Sequence, residues 1–263
     1  MNHPSLRFWR NNRRLASLVM GTLLLIIAFP AYAKYEPKDR KQASGYSSGG
    51  GTRTGCKSDS IPLTLLAPNT FVGKTASLRP MFAWYSSNPA KVRFRLYEFQ
   101  SAKRVKRIGE STEIPSIAGI NKLKLPNDYP ELTVGKKYFW QIAHNNCGRV
   151  PIVNRAEFTV VNPPSIAKKK FTTIPEAVNY YGENELWYEA LEEALKTETD
   201  GKSNKAASIL IKELALAEML TGSEDEIKII KRRVDDLEKI SLPKYKPKNR
   251  KPASGYSRSG CCR

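Results

Sequence analysis

Cysteine and histidine are the first residues to consider for chemistry, and this chain has few of them. Four cysteines and two histidines occur among 263 residues. Cys56 precedes the first strand predicted below, and Cys147 follows the predicted strand that bears Trp140, so a disulfide between them would pin the segment before Cys56 to the region of strands. The bridge would close a loop of about 90 residues and add about 4 kcal/mol of stability. Cys261 and Cys262 are adjacent near the end, where they are free to pair with another chain or to hold a small thiol.

Metal binding and nucleophilic catalysis would both depend on His144. Together with Cys147 and Cys56 it gives three ligands, whereas a structural zinc site takes four. A catalytic triad would also need this histidine, because the other one lies in a segment predicted to be removed. We therefore expect no metal, no cofactor and no catalytic residue, and we interpret His144 as a solvated turn histidine.

Two further patterns resemble catalytic motifs without meeting their requirements. Residues 50–57 (GGTRTGCK) lack the Gly–Lys pair with which a phosphate loop directs amides and an ammonium group at phosphate. Clustered carboxylates could suggest glycoside hydrolysis. The acids in question are Glu183, Glu185, Glu189, Glu192 and Glu193. Acids this dense are typical of a solvated helical face, so we predict that the protein is not an enzyme.

The first 33 residues have the features of a secretory signal peptide. Arginines precede an unbroken apolar run over residues 15–29, and Ala31 and Ala33 supply the small residues that a signal peptidase recognises. The run is shorter than the ~20 residues of a membrane-spanning helix. Cleavage is therefore expected between Ala33 and Lys34, which places the mature chain in the periplasm or outside the cell.

The charge balance predicts an acidic partner. The formal net charge is +19, and the isoelectric point is near 9.8. Because export separates the chain from nucleic acid, we expect no nucleic acid to be bound. The remaining candidates are an anionic envelope polymer, a membrane surface or an envelope protein, and the oligomeric state stays open.

The basic sequence that would begin the mature chain returns near the end. Residues 34–47 read KYEPKDRKQASGYS, and residues 244–257 read KYKPKNRKPASGYS. The copy is either a duplication without function or a second basic arm for gripping one polyanion. The candidate polyanion-binding side chains are Lys38, Arg40, Lys41, Lys248, Arg250 and Lys251. Both surrounding segments, 34–55 and 243–263, are poor in aliphatic residues and are predicted to be disordered.

Apolar residues between 56 and 162 alternate with polar ones, which predicts β-strands. In residues 91–99, Val92, Phe94 and Leu96 should face inward. Arg93, Arg95 and Tyr97 should then face outward. Further short runs occupy residues 62–67, 80–86, 121–125, 136–143 and 155–161. Strands of this length and spacing predict an antiparallel β-sandwich of the immunoglobulin or fibronectin type III kind.

After a linker over residues 163–173, the apolar spacing changes to three and four residues. Residues 174–242 are therefore predicted to form a small helical bundle similar to tetratricopeptide hairpins. Asn184 is expected to cap one helix, and Ser223 with Glu226 forms a capping box for another. The predicted fold class is α+β.

Several segments occur in the order known from one protein family. They are GGGTRTGC (49–56), PLTLLAPNTFVGKT (62–75), PMFAWYS (80–86), VGKKYFWQI with a following Cys (134–147) and YGENELWYEAL (181–191). Over residues 49–220 the chain resembles the secreted cyanobacterial family called domain of unknown function 928. The resemblance implies an exported sandwich followed by helices, supports the Cys56–Cys147 pairing and implies no reaction.

These observations favour a non-catalytic extracytoplasmic module that binds an anionic envelope component. The basic segments and the lack of a catalytic constellation are the grounds for this hypothesis. One alternative is a helical scaffold for protein interactions in which charge has no role. The other alternative is an enzyme that acts on envelope polysaccharide through helix carboxylates or His144.

Overall fold

Alternating apolar residues produce eight strands in the part of the chain that the structure describes. This computed structural model describes residues 34–44, 61–144, 151–163, 170–196 and 205–242. The strands are β1 (Thr64–Leu65), β2 (Gly73–Thr75), β3 (Met81–Ser86), β4 (Ala90–Phe99), β5 (Val105–Ser116), β6 (Gly119–Lys124), β7 (Lys137–His144) and β8 (Ile152–Val160). They form a three-stranded sheet in the order β1-β3-β6 and a five-stranded sheet in the order β2-β8-β7-β4-β5.

Pairing within the sheets is antiparallel except at one edge. Strand β2 pairs with β8 in parallel, with Lys74 opposite Thr159, so the prediction of an entirely antiparallel arrangement is wrong there. Only strands joined by a tight hairpin are forced to run antiparallel. In the residues that the structure describes, five other strands lie between β2 and β8, so no hairpin constrains this pair.

Part of the core lies between the two sheets. Val92, Phe94 and Leu96 are at most 1% exposed, which confirms the inward face predicted for β4. Phe82 of β3 reaches this face, with its ring centroid 5.3 Å from that of Phe94 and 5.0 Å from that of Trp140. Aromatic rings packed at these distances stabilise the sheet pair beyond the area that they bury.

Four helices follow the strands in the described residues. They are α1 (Ile174–Glu183), α2 (Trp187–Ala194), α3 (Lys205–Ala217) and α4 (Glu224–Ser241). The capping box of Ser223 and Glu226 at the start of α4 is confirmed. Asn184 instead ends α1, and Leu186 is the N-cap of α2, so the predicted Asn184 cap is wrong. None of these helices combines the length and the apolar character that crossing a bilayer requires.

Helix α2 lies against the three-stranded sheet. The Lys122 ammonium donates to the Leu195 carbonyl at 2.9 Å, and Lys124 pairs with Glu192 at 2.6 Å. The Trp187 indole N–H donates to the Leu66 carbonyl at 3.0 Å. One buried hydrophobic cluster includes residues of both sheets and of all four helices. The α+β class is therefore confirmed, and strands and helices share a core.

Candidate functional site

Residues 34–44, called the lead below, pack against the body of the protein. Tyr35 is 2% exposed, and its ring meets Trp187 edge-on at 4.9 Å between centroids. Pro37 is also buried. The expectation of disorder from residue 34 onward is therefore wrong as far as Ser44. Few apolar residues suffice here because those of the lead insert beside aromatic residues of the body.

Backbone hydrogen bonds add the lead to the body as a short extended strand. The Val72 N–H donates to the Lys41 carbonyl at 2.9 Å, and the Ala43 N–H donates to the Thr70 carbonyl at 3.2 Å. The Arg40 guanidinium donates to the Ala217 carbonyl at the end of α3, at 3.3 Å. At Gly182, a Cβ would lie 2.7 Å from the Lys34 carbonyl oxygen, so this close approach requires glycine.

Two carboxylates hold the lead along its length. The Lys38 N–H donates to Glu185 at 3.2 Å. The Ser44 hydroxyl donates to Glu157 at 2.8 Å, and the fully buried Glu157 side chain also pairs with Lys137 at 2.5 Å. We call the surface that receives the lead the lead groove, lined by Thr70–Val72, Glu157, Gly182, Glu185 and Trp187.

The acids predicted to form a solvated helical face mostly link helices to strands instead. Glu185 has a φ of 61°, a left-handed conformation that is uncommon outside glycine. Its carboxylate binds Lys74 of β2 at 2.5 Å. Glu192 pairs with Lys124, and Glu193 pairs with Lys196 within its own segment. Exposed Glu183 alone fits the prediction. For Glu185 and Glu192, ion pairs with strands thus replace the predicted contact with solvent.

Glu189 is the most deeply placed of these acids. Its Oε1 accepts from the Thr75 hydroxyl at 2.7 Å and from the N–H groups of Ala76 and Ser77, both at 2.8 Å. Its Oε2 is buried and has no hydrogen-bond partner in the described residues. Burial raises the pKa of the Glu189 carboxyl, and the hydrogen bonds to its charged form oppose this only in part. The side chain fastens α2 to the end of β2.

Replacing Glu189 by Gln should change how stability depends on pH. Because the pKa of Glu189 is higher in the folded state, folding favours the protonated form, and stability falls as pH rises above the unfolded pKa. Glu189→Gln removes this ionisation, so its unfolding free energy should drop less between pH 4 and pH 7 than that of the unmodified chain. Urea unfolding at the two pH values measures the difference. Equal changes in Glu189→Gln and in the control Glu183→Gln would refute the assignment.

A run of cations begins in the turn between β4 and β5 and continues into the first residues of β5. Lys103, Arg104, Lys106 and Arg107 are all exposed, and no acid lies between Glu98 and Glu110. Among ion pairs of the described residues, only Arg107 of these four takes part, at 3.8 Å from the 89%-exposed Glu110 side chain. We call these four residues the basic hairpin. Lys106 also lies opposite Glu98 in the strand pair, but the four cations outnumber these two acids and create a positive local field.

Aromatic residues adjoin the basic hairpin on the outer face of the five-stranded sheet. Tyr97 lies opposite Arg107 on one side and Phe139 on the other. The rings of Tyr97 and Phe139 stack at 4.7 Å. The Lys137 ammonium lies 4.7 Å from the centroid of Phe99, at the end of β4. Cations and flat rings therefore share one surface, and Lys137 links it through Glu157 to Ser44 of the lead.

His144 is the last residue of β7 and is half-buried, so its interpretation as a solvated turn histidine is wrong. Burial lowers the pKa of its imidazole. Within the ranges described, no three His, Cys, Asp or Glu side chains group as metal ligands. The predicted disulfide between Cys56 and Cys147 lies outside the described residues, as do Cys261, Cys262 and Ala33.

The candidate polyanion-binding residues divide between described and undescribed segments. Lys38, Arg40 and Lys41 are exposed on the docked lead, although the Arg40 guanidinium is already bonded to Ala217. Lys248, Arg250 and Lys251 lie outside the described residues. Reasoning from the sequence missed the basic hairpin. The signal was the run KRVKR over residues 103–107, which contains no acid.

Comparison with protein families gives a match over most of the chain. The family described as Domain of Unknown Function (DUF928) matches residues 48–223, about two thirds of the chain. A search of curated proteins found no match. The matched range includes both sheets, the first three helices and the basic hairpin, and it ends at the cap of α4.

Proposed function

Since the chain belongs to the DUF928 family, whose description names no reaction, we propose that it is a non-catalytic module that binds an acidic polymer through the basic hairpin. The observation that carries this proposal is the hairpin itself. Four exposed cations lie within five consecutive positions, and the one acid that pairs with them is itself exposed. Such a cluster attracts polyanions and can exchange small counterions for them.

The surroundings of the basic hairpin supply the other groups that recognise an acidic polysaccharide. Tyr97 and Phe99 are half-buried and leave part of each ring accessible. Exposed Lys38 and Lys41 on the docked lead add charge. The contacts from Ser44 through Glu157 and Lys137 to Phe99 connect the lead with the hairpin. A flexible polymer that contacts both would bind more tightly than either contact alone allows.

The proposal also covers the location of the protein in the cell. We infer that residues 1–33 direct export, that Cys56 and Cys147 form a disulfide after export, and that the ligand is an anionic component of the cell envelope. The net charge of +19 and the arginine-led apolar segment support this inference. The proposal also includes an immunoglobulin-like arrangement of the sheets and helical pairs of the tetratricopeptide kind, for which strand spacing and helix lengths are the support.

Removing three cations of the basic hairpin should weaken binding to a sulfated polymer. The variant Lys103→Ser, Arg104→Ser, Lys106→Ser keeps Arg107, which faces Tyr97 across the strand pair. The full chain is applied to immobilised dextran sulfate and eluted with a salt gradient. We expect this variant to elute at a clearly lower salt concentration than the unmodified chain, because electrostatic binding falls with ionic strength.

A matched control comes from α4. The variant Lys228→Ser, Lys231→Ser, Arg232→Ser removes two lysines and one arginine from exposed positions of a helix that has acids in its first turn and at Asp235 and Asp236. It loses the same net charge as the hairpin variant but keeps the basic hairpin, so it should elute at a higher salt concentration than the hairpin variant. Neutral dextran should retain none of the proteins. Equal elution of the two variants would mean that total charge governs retention, and the proposal would fail.

A further inference from the structure

The C-terminal copy of the lead, residues 244–254, has nearly the same sequence as the docked lead. Residues 34–44 and 244–254 differ at three positions: Glu36 against Lys246, Asp39 against Asn249, and Gln42 against Pro252. In the docked lead, all three of these positions are exposed to solvent. The two copies therefore differ only where the groove does not enclose the lead.

The residues that fix the lead in its groove all recur in the copy. Buried Tyr35 and Pro37 correspond to Tyr245 and Pro247. Arg40, which donates to the end of α3, corresponds to Arg250. Ser44, which donates to Glu157, corresponds to Ser254. The copy thus keeps all four of these side chains.

The proline in the copy is compatible with the backbone pairing of the lead. Gln42 lies opposite Phe71 in the strand pair, but the bonds use the carbonyl of Lys41 and the N–H of Ala43. In this type of antiparallel pair, the N–H of the central residue points away from the partner strand. Pro252 lacks only that N–H group, and an edge position tolerates proline.

The replacement of Glu36 by Lys246 would remove a repulsion between two negative charges. The pKa of Glu213 on α3 is raised, first by burial and then by the negative charge of Glu36. Lys246 would place a positive charge where Glu36 now stands. The same replacement would also lose the ion pair of Lys34 with Glu36, at 2.9 Å, but this pair is exposed and so contributes little. On electrostatic grounds the copy is therefore compatible with the groove.

The direction of α4 leads the chain toward the end of the groove at which the copy would have to enter. The lead runs beside α3 in the same direction, since Glu36 acts on Glu213 and Arg40 reaches Ala217. Helix α4 follows α3 after a short connection and runs back along it, with Arg233 bound to Glu218. From Arg233 to Leu242 the helix advances about 13 Å, toward the end at which the lead begins. Lys244 follows two residues later.

We propose that the lead groove has a second ligand in the same chain, residues 244–254, which replaces residues 34–44 by exchange. The groove holds one extended segment at a time, so docking of the copy releases the lead. Because Lys246 and Asn249 replace Glu36 and Asp39, the exchange removes two acids from the docked surface. A tethered segment competes effectively because its local concentration reaches the millimolar range.

Hydrogen exchange of the Val72 amide reports occupancy, because this N–H donates to Lys41 of the docked segment. In the full chain, Tyr35→Ala should leave Val72 protected, since the copy takes over, and Tyr245→Ala should also leave it protected. The double variant Tyr35→Ala/Tyr245→Ala should lose protection at least tenfold. If Tyr35→Ala alone exchanges as fast as the double variant, the copy does not enter the groove.

Two further measurements keep the test decisive. Should the double tyrosine variant fail to fold by circular dichroism, Arg40→Ala/Arg250→Ala tests the same exchange at an exposed position, with each single variant as control. Light scattering of Tyr35→Ala should give a monomer mass that does not change with concentration. A mass that rises with concentration would assign the copy to a neighbouring molecule and refute exchange within one chain.

Discussion

Replacing Arg233 by Met is expected to destabilise the fold by about 3–5 kcal/mol, because it leaves a buried carboxylate without its cation. The Glu218 side chain is fully buried and binds the Arg233 guanidinium at 3.0 Å. Arg233 also donates to the carbonyls of Leu65 and Ala67, at 3.1 and 2.6 Å. The substitution therefore removes an ion pair and two hydrogen bonds that join α4 to the end of β1.

The Glu218 carboxylate also binds the loop before β2, so the Arg233→Met substitution should destabilise this loop as well. Glu218 accepts from the Thr70 hydroxyl at 2.6 Å and from the N–H groups of Asn69 and Thr70, at 3.1 and 2.9 Å. Thr70 in turn pairs with the lead through its carbonyl. Because Glu218 has so many partners, a substitution that disturbs its position should affect the loop before β2, the lead and α4 together.

Urea unfolding of Arg233→Met beside Arg232→Met measures the effect. Arg232 is the exposed neighbour on the same helix, so its substitution should change stability by less than about 0.5 kcal/mol. The double variant Glu218→Gln/Arg233→Met should lose less than the sum of its two single variants, because the residues act as a pair. Similar stabilities for the two arginine variants would show that the ion pair contributes little.

Trp187→Ala should destabilise the protein by about 3–5 kcal/mol, the usual cost of deleting a buried aromatic side chain. Trp187 is fully buried and its indole N–H bonds the Leu66 carbonyl. Tyr35 of the lead packs against its ring. The deletion leaves a cavity where α2, the strand region and the lead meet.

The shape of the unfolding curve tests more than the size of the loss. Because one hydrophobic cluster joins strands and helices, near-ultraviolet and far-ultraviolet circular dichroism should report one coincident transition. The control Trp187→Phe keeps a ring and loses only the N–H bond and part of the packing, so it should lose clearly less than Trp187→Ala. Two separate transitions in the unmodified chain would mean that the helices fold on their own.

The elements that reasoning from sequence identified best are those with regular local patterns. In β4, alternation alone assigns buried Val92 and exposed Arg93 to opposite faces. At α4, Ser223 and Glu226 stand at the spacing that caps a helix. Both features depend on residues close together in the chain, so a short window of sequence contains the whole signal.

Strand β5 escaped prediction because its pattern is weak. Of the residues Val105–Ser116, only Ile108 and Ser116 are buried, and the strand pairs with β4 alone at the edge of its sheet. An edge strand that faces solvent needs few apolar residues, and charged residues there discourage aggregation. Lys106 and Arg107 of this strand, which interrupt its apolar pattern, also belong to the basic hairpin.

The lead and Glu189 escaped prediction because their partners are distant in sequence. Tyr35 is buried by Trp187, and Glu189 is bonded by Thr75 and its neighbours. Composition assigned the first to a disordered tail, and helical spacing assigned the second to a solvated face. No local pattern contains such pairings. The recurrence of Tyr and Pro at equal spacing in the C-terminal copy was the available signal for the lead.

The central claim is that the basic hairpin, and not the overall positive charge, binds acidic polymer. Its most direct test is the dissociation constant for soluble dextran sulfate, measured by calorimetry at several salt concentrations for the unmodified chain and for the two triple variants. The hairpin variant should bind most weakly and show the smallest change of affinity with salt, because it releases fewest counterions on binding. Identical affinities and salt dependences for the hairpin and α4 variants would contradict the claim.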